Sequence, residues 1–393
     1  MYHLLIPGYP MPAGAASPPA DSGGRRPTKV CREDQAMDAT AKMLKELSEA
    51  PGVPGYESEV RRIIRKYVEA YAVIEQDRLG SIIARRSGRS DRPRIMLAGH
   101  MDEIGFMVKS VTPEGFLRFV PLGGWFDQVL LAQRVVVKTS SGDVPGIIGS
   151  KPPHLLTEEE RKKVVEKKDM FIDVGATSSE QAINEFGIRP GDPVVPASGF
   201  EILRNERIYM SKAWDDRIGC ALFIDVLKNL ADGNHPNTVY GVGTVQEEVG
   251  LRGAETSTDL VDPDVAFALE VGIANDVPGN DKDKVQERMG GGPAILAYDR
   301  SLIPNIKLRD LVIDTAKACG IPYQMDFMEG GAADTGRIHL HGIGVPSIVL
   351  GVPSRYIHSH ASLINRDDYH HTVKLVTEVV RRLDAATVAD LVR

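Results

Sequence analysis

Two adjacent acidic residues near the middle of the chain follow an apolar segment and could do chemistry. Glu247 and Glu248 come directly after the β-branched run 239–245, and Gly250 marks the loop beyond them. The run is typical of a buried strand, and polar residues at strand ends of an α/β chain lie where ligands bind. Neighbouring residues of an extended backbone point in opposite directions. We therefore predict that Glu248 holds a metal and Glu247 moves a proton; a solvated acidic turn is the alternative that the pair alone leaves open.

A histidine and an acid occupy a similar position earlier in the chain. His100 and Asp102 follow the apolar run 94–99, and residues two apart project on the same side of an extended segment. A metal-bound imidazole needs its second nitrogen hydrogen-bonded, commonly to a carboxylate. The spacing predicts His100 as a ligand oriented by Asp102, with an ordinary hydrogen-bonded histidine at a strand end as the alternative.

Three more candidates follow a predicted strand or begin a predicted helix: Asp215, Glu270 and His358. With His100 and Glu248 they form a set of nitrogen and carboxylate ligands without a thiolate, which suits zinc or cobalt. Three clustered carboxylates disfavour one another's ionisation unless cations are present. Two divalent ions and one bridging hydroxide would neutralise the three carboxylates, whereas one ion would leave them negative. The sequence thus predicts two divalent metal ions, roughly 3.5–4 Å apart with a shared carboxylate.

Composition limits the class of protein. The 393 residues suggest two domains, at roughly 100–200 residues each. A net charge of −7 argues against a nucleic-acid partner, and the absence of an apolar run near 18 residues argues against a membrane span. Three scattered cysteines without CxxC spacing indicate neither a disulfide framework nor a thiolate metal site, so we expect a cytoplasmic protein.

Pattern changes along the chain predict its domain organisation. Residues 1–36, rich in Pro, Gly, Ala and Ser, are predicted to be a disordered N-terminal tail. Residues 37–107 and 211–393 alternate helical and strand patterns and are predicted to form the two segments of a catalytic domain. Residues 108–210 carry short β-type runs between Gly and Pro turns, so we predict a β-rich insert for oligomerisation, interrupted by one charged helix from Thr157 to Lys168.

Five segments resemble the motif set of the tetrahedral, dinuclear-metal aminopeptidases, which include glutamyl and deblocking aminopeptidases and proteins named cellulase M: GHMDEIGFMV, SKAWDDRIGC, VQEEVGLRGA, ALEVGIANDVPG and SIVLGVPSRYIHS. The resemblance runs from about residue 43 to the C-terminus. It implies an α/β fold, with a three-layer αβα catalytic domain built on a mixed sheet and an inserted β-rich domain resembling a PDZ domain. It also implies a homo-oligomer, either a tetrahedral shell of twelve subunits or dimers.

The resemblance also implies a role for each motif residue. Asp215 would bridge the two metals, with a cis peptide bond to Asp216, and Glu247 would act as general base and then acid. The metal ligands would be His100, Asp215, Glu248, Glu270 and His358. The position of Glu270 is commonly Asp in the family, and the longer arm could change the metal distance or preference. Asp334 and Gly331, in a glycine-rich loop, would lie near the substrate.

The implied function is a metallo-aminopeptidase that removes N-terminal residues from peptides, using a water activated by two metals. A metal-dependent N-acyl amino acid deacylase could share these ligands, and a non-catalytic shell-forming protein is a further alternative. A glycosidase uses two carboxyls roughly 5–9.5 Å apart and needs no metal ligand. In a glycosidase the two histidines would therefore have no role.

Overall fold

Helices and strands alternate through the described part of the chain, which is residues 37–280 and 286–393 of the computed structural model. The strands of this part are β1 Val73–Gln76, β2 Ile82–Ser87, β3 Arg94–His100, β4 Gly105–Val111, β5 Leu117–Leu122, β6 Arg134–Thr139, β7 Gly142–Gly149, β8 Phe171–Asp173, β9 Pro193–Pro196, β10 Glu201–Ile202, β11 Ile208–Ser211, β12 Thr238–Thr244, β13 Val265–Ile273, β14 Ala294–Asp299, β15 Gln324–Met328, β16 Ser347–Arg355 and β17 Ser362–Asn365. Its α-helices are α1 Ala39–Glu49, α2 Ser58–Val68, α3 Glu158–Arg161, α4 Trp214–Asn229, α5 Arg252–Val261, α6 Ile306–Ala318, α7 Thr335–Ile338, α8 Arg366–Val380 and α9 Ala385–Leu391. Within these ranges, no helix combines the length and the apolar character needed to cross a membrane.

The larger sheet is mixed and has eleven strands. Its main path runs β1-β2-β12-β3-β13-β16-β17-β11-β10, and β14 and β15 extend from β16. Strands β12, β3, β13 and β16 are parallel neighbours at its centre. They are apolar and almost wholly buried, as strands covered on both faces must be. Because they are parallel, their carboxyl ends meet at one edge, where α/β sheets bind ligands.

Helices cover both faces of this sheet. Helix α4 packs on β3, β12 and β13, while α5 and α7 pack on the opposite face around Val242 and Ile338. Two glycines allow a close approach between β3 and α4, because a Cβ at Gly99 would lie 2.5 Å from the carbonyl carbon of Gly219. The approach brings the start of α4 beside the last residue of β3, which is His100.

A second sheet closes on itself as a six-stranded barrel. Its strand order is β4-β5-β8-β7-β6-β9, and its core includes Phe106 stacked on Trp125 with ring centroids 4.9 Å apart. The mixed α/β fold with a separate β-rich sheet is confirmed, and the PDZ-like identity of the barrel stays a prediction. Strands β10 and β11, within the predicted insert, pair with the larger sheet.

The predicted helix from Thr157 to Lys168 is largely wrong. Only α3 forms, with a capping box between Thr157 and Glu160, and a short 3₁₀ turn follows at Lys167–Asp169. Helix α3 buries no side chain. A charged segment without an apolar face has no packing to stabilise it beyond its local cap, so the helix ends after about one turn.

A buried ion pair links the residues after β3 to those before α4. Lys212 donates to both carboxylate oxygens of Glu103, at 2.5 and 2.7 Å, and Arg217 lies 3.6 Å from the same carboxylate. All three side chains are buried. Because two buried cations depend on one carboxylate, Glu103 is the sensitive member of this cluster.

We expect the substitution Glu103→Gln to lower the free energy of unfolding by about 3–5 kcal/mol, because it leaves Lys212 and Arg217 buried without a counter-charge. The matched control is Glu46→Gln, which removes the exposed pair between Glu46 and Lys66 and should cost about 1 kcal/mol or less. Denaturant titration of both variants measures the difference, and equal losses would contradict the assignment.

Candidate metal centre

The residues predicted to bind metal, together with Glu247, meet in one cavity of about 880 Å³. They come from the carboxyl-end edge of the central strands and from the start of α4. The cavity wall includes His100, Asp215, Glu247, Glu248, Glu270 and His358. Five segments far apart in sequence therefore converge because the parallel strands end at the same edge.

Asp215 lies between two imidazoles. Its Oδ1 is 3.0 Å from Nε2 of His100, and its Oδ2 is 3.1 Å from Nε2 of His358. The peptide bond between Asp215 and Asp216 is cis, as the resemblance implies. A carboxylate with one oxygen directed at each histidine has the arrangement needed to be shared by two cations.

Backbone carbonyls fix both imidazole rings. Nδ1 of His100 lies 2.9 Å from the carbonyl oxygen of Asp102, and Nδ1 of His358 lies 2.6 Å from that of Gly124. A carbonyl oxygen only accepts, so each Nδ1 carries a proton, and the neutral form of each ring then has its lone pair at Nε2. The tautomer thus suits metal binding at Nε2, and the acceptor at Gly124 comes from the barrel segment.

The carboxylate of Asp102 has a different contact from the one predicted. It accepts from the backbone N–H groups of Glu247 and Glu248, at 3.0 and 3.1 Å, and its Oδ1 is 3.6 Å from Nδ1 of His100. Asp102 therefore orients His100 mainly through its carbonyl group. Its side chain holds the turn that presents the two glutamates.

The cluster carries more carboxylates than its imidazoles can neutralise. Burial, followed by the charge of Asp215, raises the pKa of Glu248 to about 8. Burial also raises the pKa of Glu247 and of Glu270 well above the usual range, with neighbouring carboxylates adding to it. Burial acts to lower the pKa of His358, but Asp215 and Glu248 raise it to about 10. Divalent cations would supply the positive charge that this cluster lacks, so the donor set fits such ions.

Two groups of side chains in the described ranges have ligand atoms within 4.8 Å of one another: His100 with Asp215 and Glu248, and His100 with Asp216 and Glu270.

Asp216 was not predicted as a site residue. Its two oxygens accept from the backbone N–H groups of His100 and Gly219, at 3.0 and 2.9 Å. It therefore fastens the end of β3 to the start of α4, and its adjacency to Asp215 was the available sequence signal.

The predicted substrate-binding residues lie in different settings. Gly331 lines the cavity, whereas Asp334 is buried behind it and accepts from the hydroxyl of Thr244 at 2.6 Å.

Glu57 supports the site, although the sequence does not predict its role. Its Oε1 accepts from the N–H groups of Gly55 and Gln246, so it stabilises the turn before Glu247. No motif marks an isolated acid of this kind.

Comparison with known proteins gives consistent matches over most of the chain. A family model described as M42 glutamyl aminopeptidase matches residues 80–375, and a shorter model described as AMPT matches residues 38–64. The glutamyl aminopeptidase of Lactococcus lactis is 36% identical over 351 residues, which is 88% of this chain and 98% of that protein.

Two solved structures show the same similarity in three dimensions. The TET aminopeptidase from the marine sediment archaeon Thaumarchaeota archaeon SCGC AB-539-E09 has a TM-score of 0.88 and 51% identity, covering 90% of this chain and 99% of that one. The TET1 peptidase of Pyrococcus horikoshii, described as assembling into a tetrahedron or a large octahedral shell, has a TM-score of 0.78 and 32% identity, covering 88% and 100%.

We expect His358→Ala to lower the metal content of the purified protein, because it removes one of the two nitrogen ligands. Elemental analysis of the metal bound per chain measures the effect. The control is His341→Ala, since His341 lies outside the cavity and contacts Asp259 at 3.3 Å. An unchanged metal content in the His358 variant would remove that residue from the ligand set.

Proposed function

The chain belongs to the M42 glutamyl aminopeptidase family and is an aminopeptidase, and from this premise we propose which of its residues carry the reaction. The observation that carries the proposal is the position of Asp215 between His100 and His358. We assign one divalent cation to His100, Asp215 and Glu270, and a second to His358, Asp215 and Glu248. Nitrogen and carboxylate donors suit zinc or cobalt.

Glu247 is the proposed acid–base residue. When bound, the two cations supply Lewis acidity that polarises the scissile carbonyl and lowers the pKa of a water molecule. Glu247 lines the cavity, and its Oε2 lies 3.8 Å from Nε2 of His100. From there this carboxylate takes a proton from the attacking water and passes it to the leaving amine.

The excess of acids also explains the requirement for a free N-terminus. A peptide's α-ammonium group is a cation, and Glu247, which is not among the three carboxylates that the two ions would neutralise, lines the cavity and favours positive charge. An N-acyl group removes that charge, so an acylated peptide loses the interaction. The proposed substrate is therefore a peptide with an unblocked N-terminal residue.

Glu270 is considered separately, because the motif resemblance implies that Asp is common at this position. It belongs to β13 and is almost fully buried, so its longer side chain cannot turn out to solvent. We propose that the extra methylene alters the distance or the preference for the cation that it shares with His100.

For the assembly, we propose a tetrahedral shell of twelve subunits, with dimers as the smaller alternative. The Pyrococcus horikoshii relative is described as assembling into a tetrahedron or a large octahedral shell, and the PhTET1-12s structure is described as a dodecamer. Cytoplasm stays the expected compartment. Sedimentation velocity or native mass spectrometry tests the assembly. A particle about twelve times the 42.9 kDa chain mass supports the proposal, and a monomer at micromolar concentration rejects it.

We expect Glu247→Gln to keep its metal and to lose kcat by about 10²–10⁴-fold, because the amide cannot accept the proton of water. Turnover of aminoacyl p-nitroanilides and elemental analysis are measured on the same sample. The control is Glu255→Gln, an exposed acid on the nearby helix α5, which should retain wild-type kcat.

A metal-replete Glu247→Gln sample with wild-type kcat would exclude Glu247 as the base. The same wild-type enzyme is also assayed on N-acyl amino acids. Hydrolysis of those compounds in place of aminoacyl anilides would favour a deacylase and overturn the proposed substrate class.

A further inference from the structure

The cavity extends sideways from the metal centre along one face of the larger sheet. In the pairing register Glu270 is opposite Gly351, Gly351 is opposite Ala294, and Ala294 is opposite Gln324. Residues paired in this way share a face, and so do residues two apart on one strand. Asp326 therefore lies on the same face as Glu270, three strands across and two residues further along, or roughly 16 Å away at about 4.8 Å per strand spacing and about 3.3 Å per residue.

The floor between these two acids is small and apolar. It is formed by side chains or backbone of Gly351, Ala294, Leu296 and Val349, all of which line the cavity. Leu296 and Val349 belong to one apolar cluster. A long aliphatic chain extending from the metal centre would lie on this floor, and its far end would meet Asp326.

Asp326 has no cationic partner in the described ranges. Only 8% of it is exposed, and one oxygen accepts from the backbone N–H of Phe327 at 2.8 Å. Burial raises the pKa of this carboxyl. The other charged residues of this end of the cavity, Glu329 and Arg337, are both exposed. A buried acid that faces a cavity without a counter-charge favours a cationic ligand.

A second buried acid, Glu287, lies next to Gly272 in the wall of the same cavity. Glu287 is fully buried, and neither carboxylate oxygen has a hydrogen-bond partner among the residues that the structure describes. Its carboxylate occupies the space beside Gly272, where a Cβ would lie 2.0 Å from Oε1. Burial and the charge of Asp326 raise the pKa of Glu287 to about 9.

The two other acids near Glu287 are already compensated. Asp276 is paired with Arg355, at 2.7 Å from its Nε, and Asp368 accepts from the N–H groups of Gly290 and Gly292. Within the described ranges, Asp326 and Glu287 are therefore the members of this group that lack positive compensation.

We propose that this pocket selects peptides whose N-terminal residue has a long cationic side chain, of the lysine or arginine class, with Asp326 accepting from its terminal ammonium or guanidinium. The aliphatic part of that side chain packs on Ala294 and Leu296, and Glu287 places a second acidic group behind Asp326. Short polar side chains do not reach Asp326, and a glutamyl side chain would face two acids. This assignment rests on the proposed function, because it assumes that the N-terminal residue enters beside the metal centre.

The test compares lysyl and norleucyl p-nitroanilides, which share a four-carbon chain and differ in the ammonium group, with the glutamyl compound as a third substrate. We expect metal-replete wild-type enzyme to favour lysyl over norleucyl by about tenfold or more in kcat/KM, as for a charge-assisted hydrogen bond in a buried site. Asp326→Asn should reduce that ratio to near one, and the control Glu329→Gln, at the exposed rim, should keep it.

The ratio is measured within each variant, so it does not depend on the fraction of folded enzyme. Because burial favours the neutral form of Asp326, the near-isosteric Asn should be tolerated by the fold. A ratio near one in the wild type, a preference for glutamyl through Arg337, or an unchanged ratio in Asp326→Asn would each overturn the proposal.

A binding measurement separates this proposal from the proposed function. L-lysinamide should raise the thermal midpoint of wild-type protein more than L-norleucinamide does, and Asp326→Asn should abolish the difference. If no anilide is cleaved but this difference is present, the proposed catalytic assignment fails and the pocket assignment stands. If norleucyl anilide is cleaved and the amides stabilise equally, the pocket assignment fails alone.

Discussion

The arrangement of this protein depends on the burial of more negative charge than its own side chains can neutralise. Asp215, Glu247, Glu248 and Glu270 share one cavity with two imidazoles. Burial and neighbouring carboxylates therefore raise the pKa of Glu247 and of Glu248, and Asp215 and Glu248 raise that of His358. Divalent ions relieve this conflict because they bring positive charge without a proton. The acidic cluster is thus a binding site for cations first, and its catalytic use follows from what those cations can activate.

Backbone groups hold the cluster in place. Asp102 and Asp216 do not face the cavity as free carboxylates; each accepts two backbone N–H groups, and these fix the Glu247 turn and the end of β3. Carbonyl groups fix the tautomers of both histidines in the same way. The ligands are therefore oriented by hydrogen bonds that need a folded backbone, which is consistent with preorganisation of the site before substrate arrives.

Much of this was readable in the sequence, for a physical reason. Apolar runs that end in His or acid predict buried strands with polar ends, and parallel strands bring those ends together, so His100, Glu248 and Glu270 could be grouped in advance. The support from Glu57 could not be predicted, since a single acid in a turn has no periodic signature. The acceptor role of the Gly124 carbonyl was also hidden, because backbone groups carry no residue identity. The charged helix after Thr157 failed for the opposite reason: composition favoured it, but no apolar face stabilised it.

The hydrogen bond from His358 to Gly124 joins the larger sheet to the segment that follows barrel strand β5. His358 lies in the loop between strands β16 and β17 of the larger sheet, while Gly124 follows barrel strand β5, and a Cβ at Gly124 would lie 3.1 Å from the imidazole. The barrel segment therefore contributes a hydrogen-bond acceptor to the proposed metal site. Replacing or excising the barrel between β3 and α4 would remove the carbonyl acceptor that orients His358. Exchange of this domain is therefore constrained by the backbone position of Gly124.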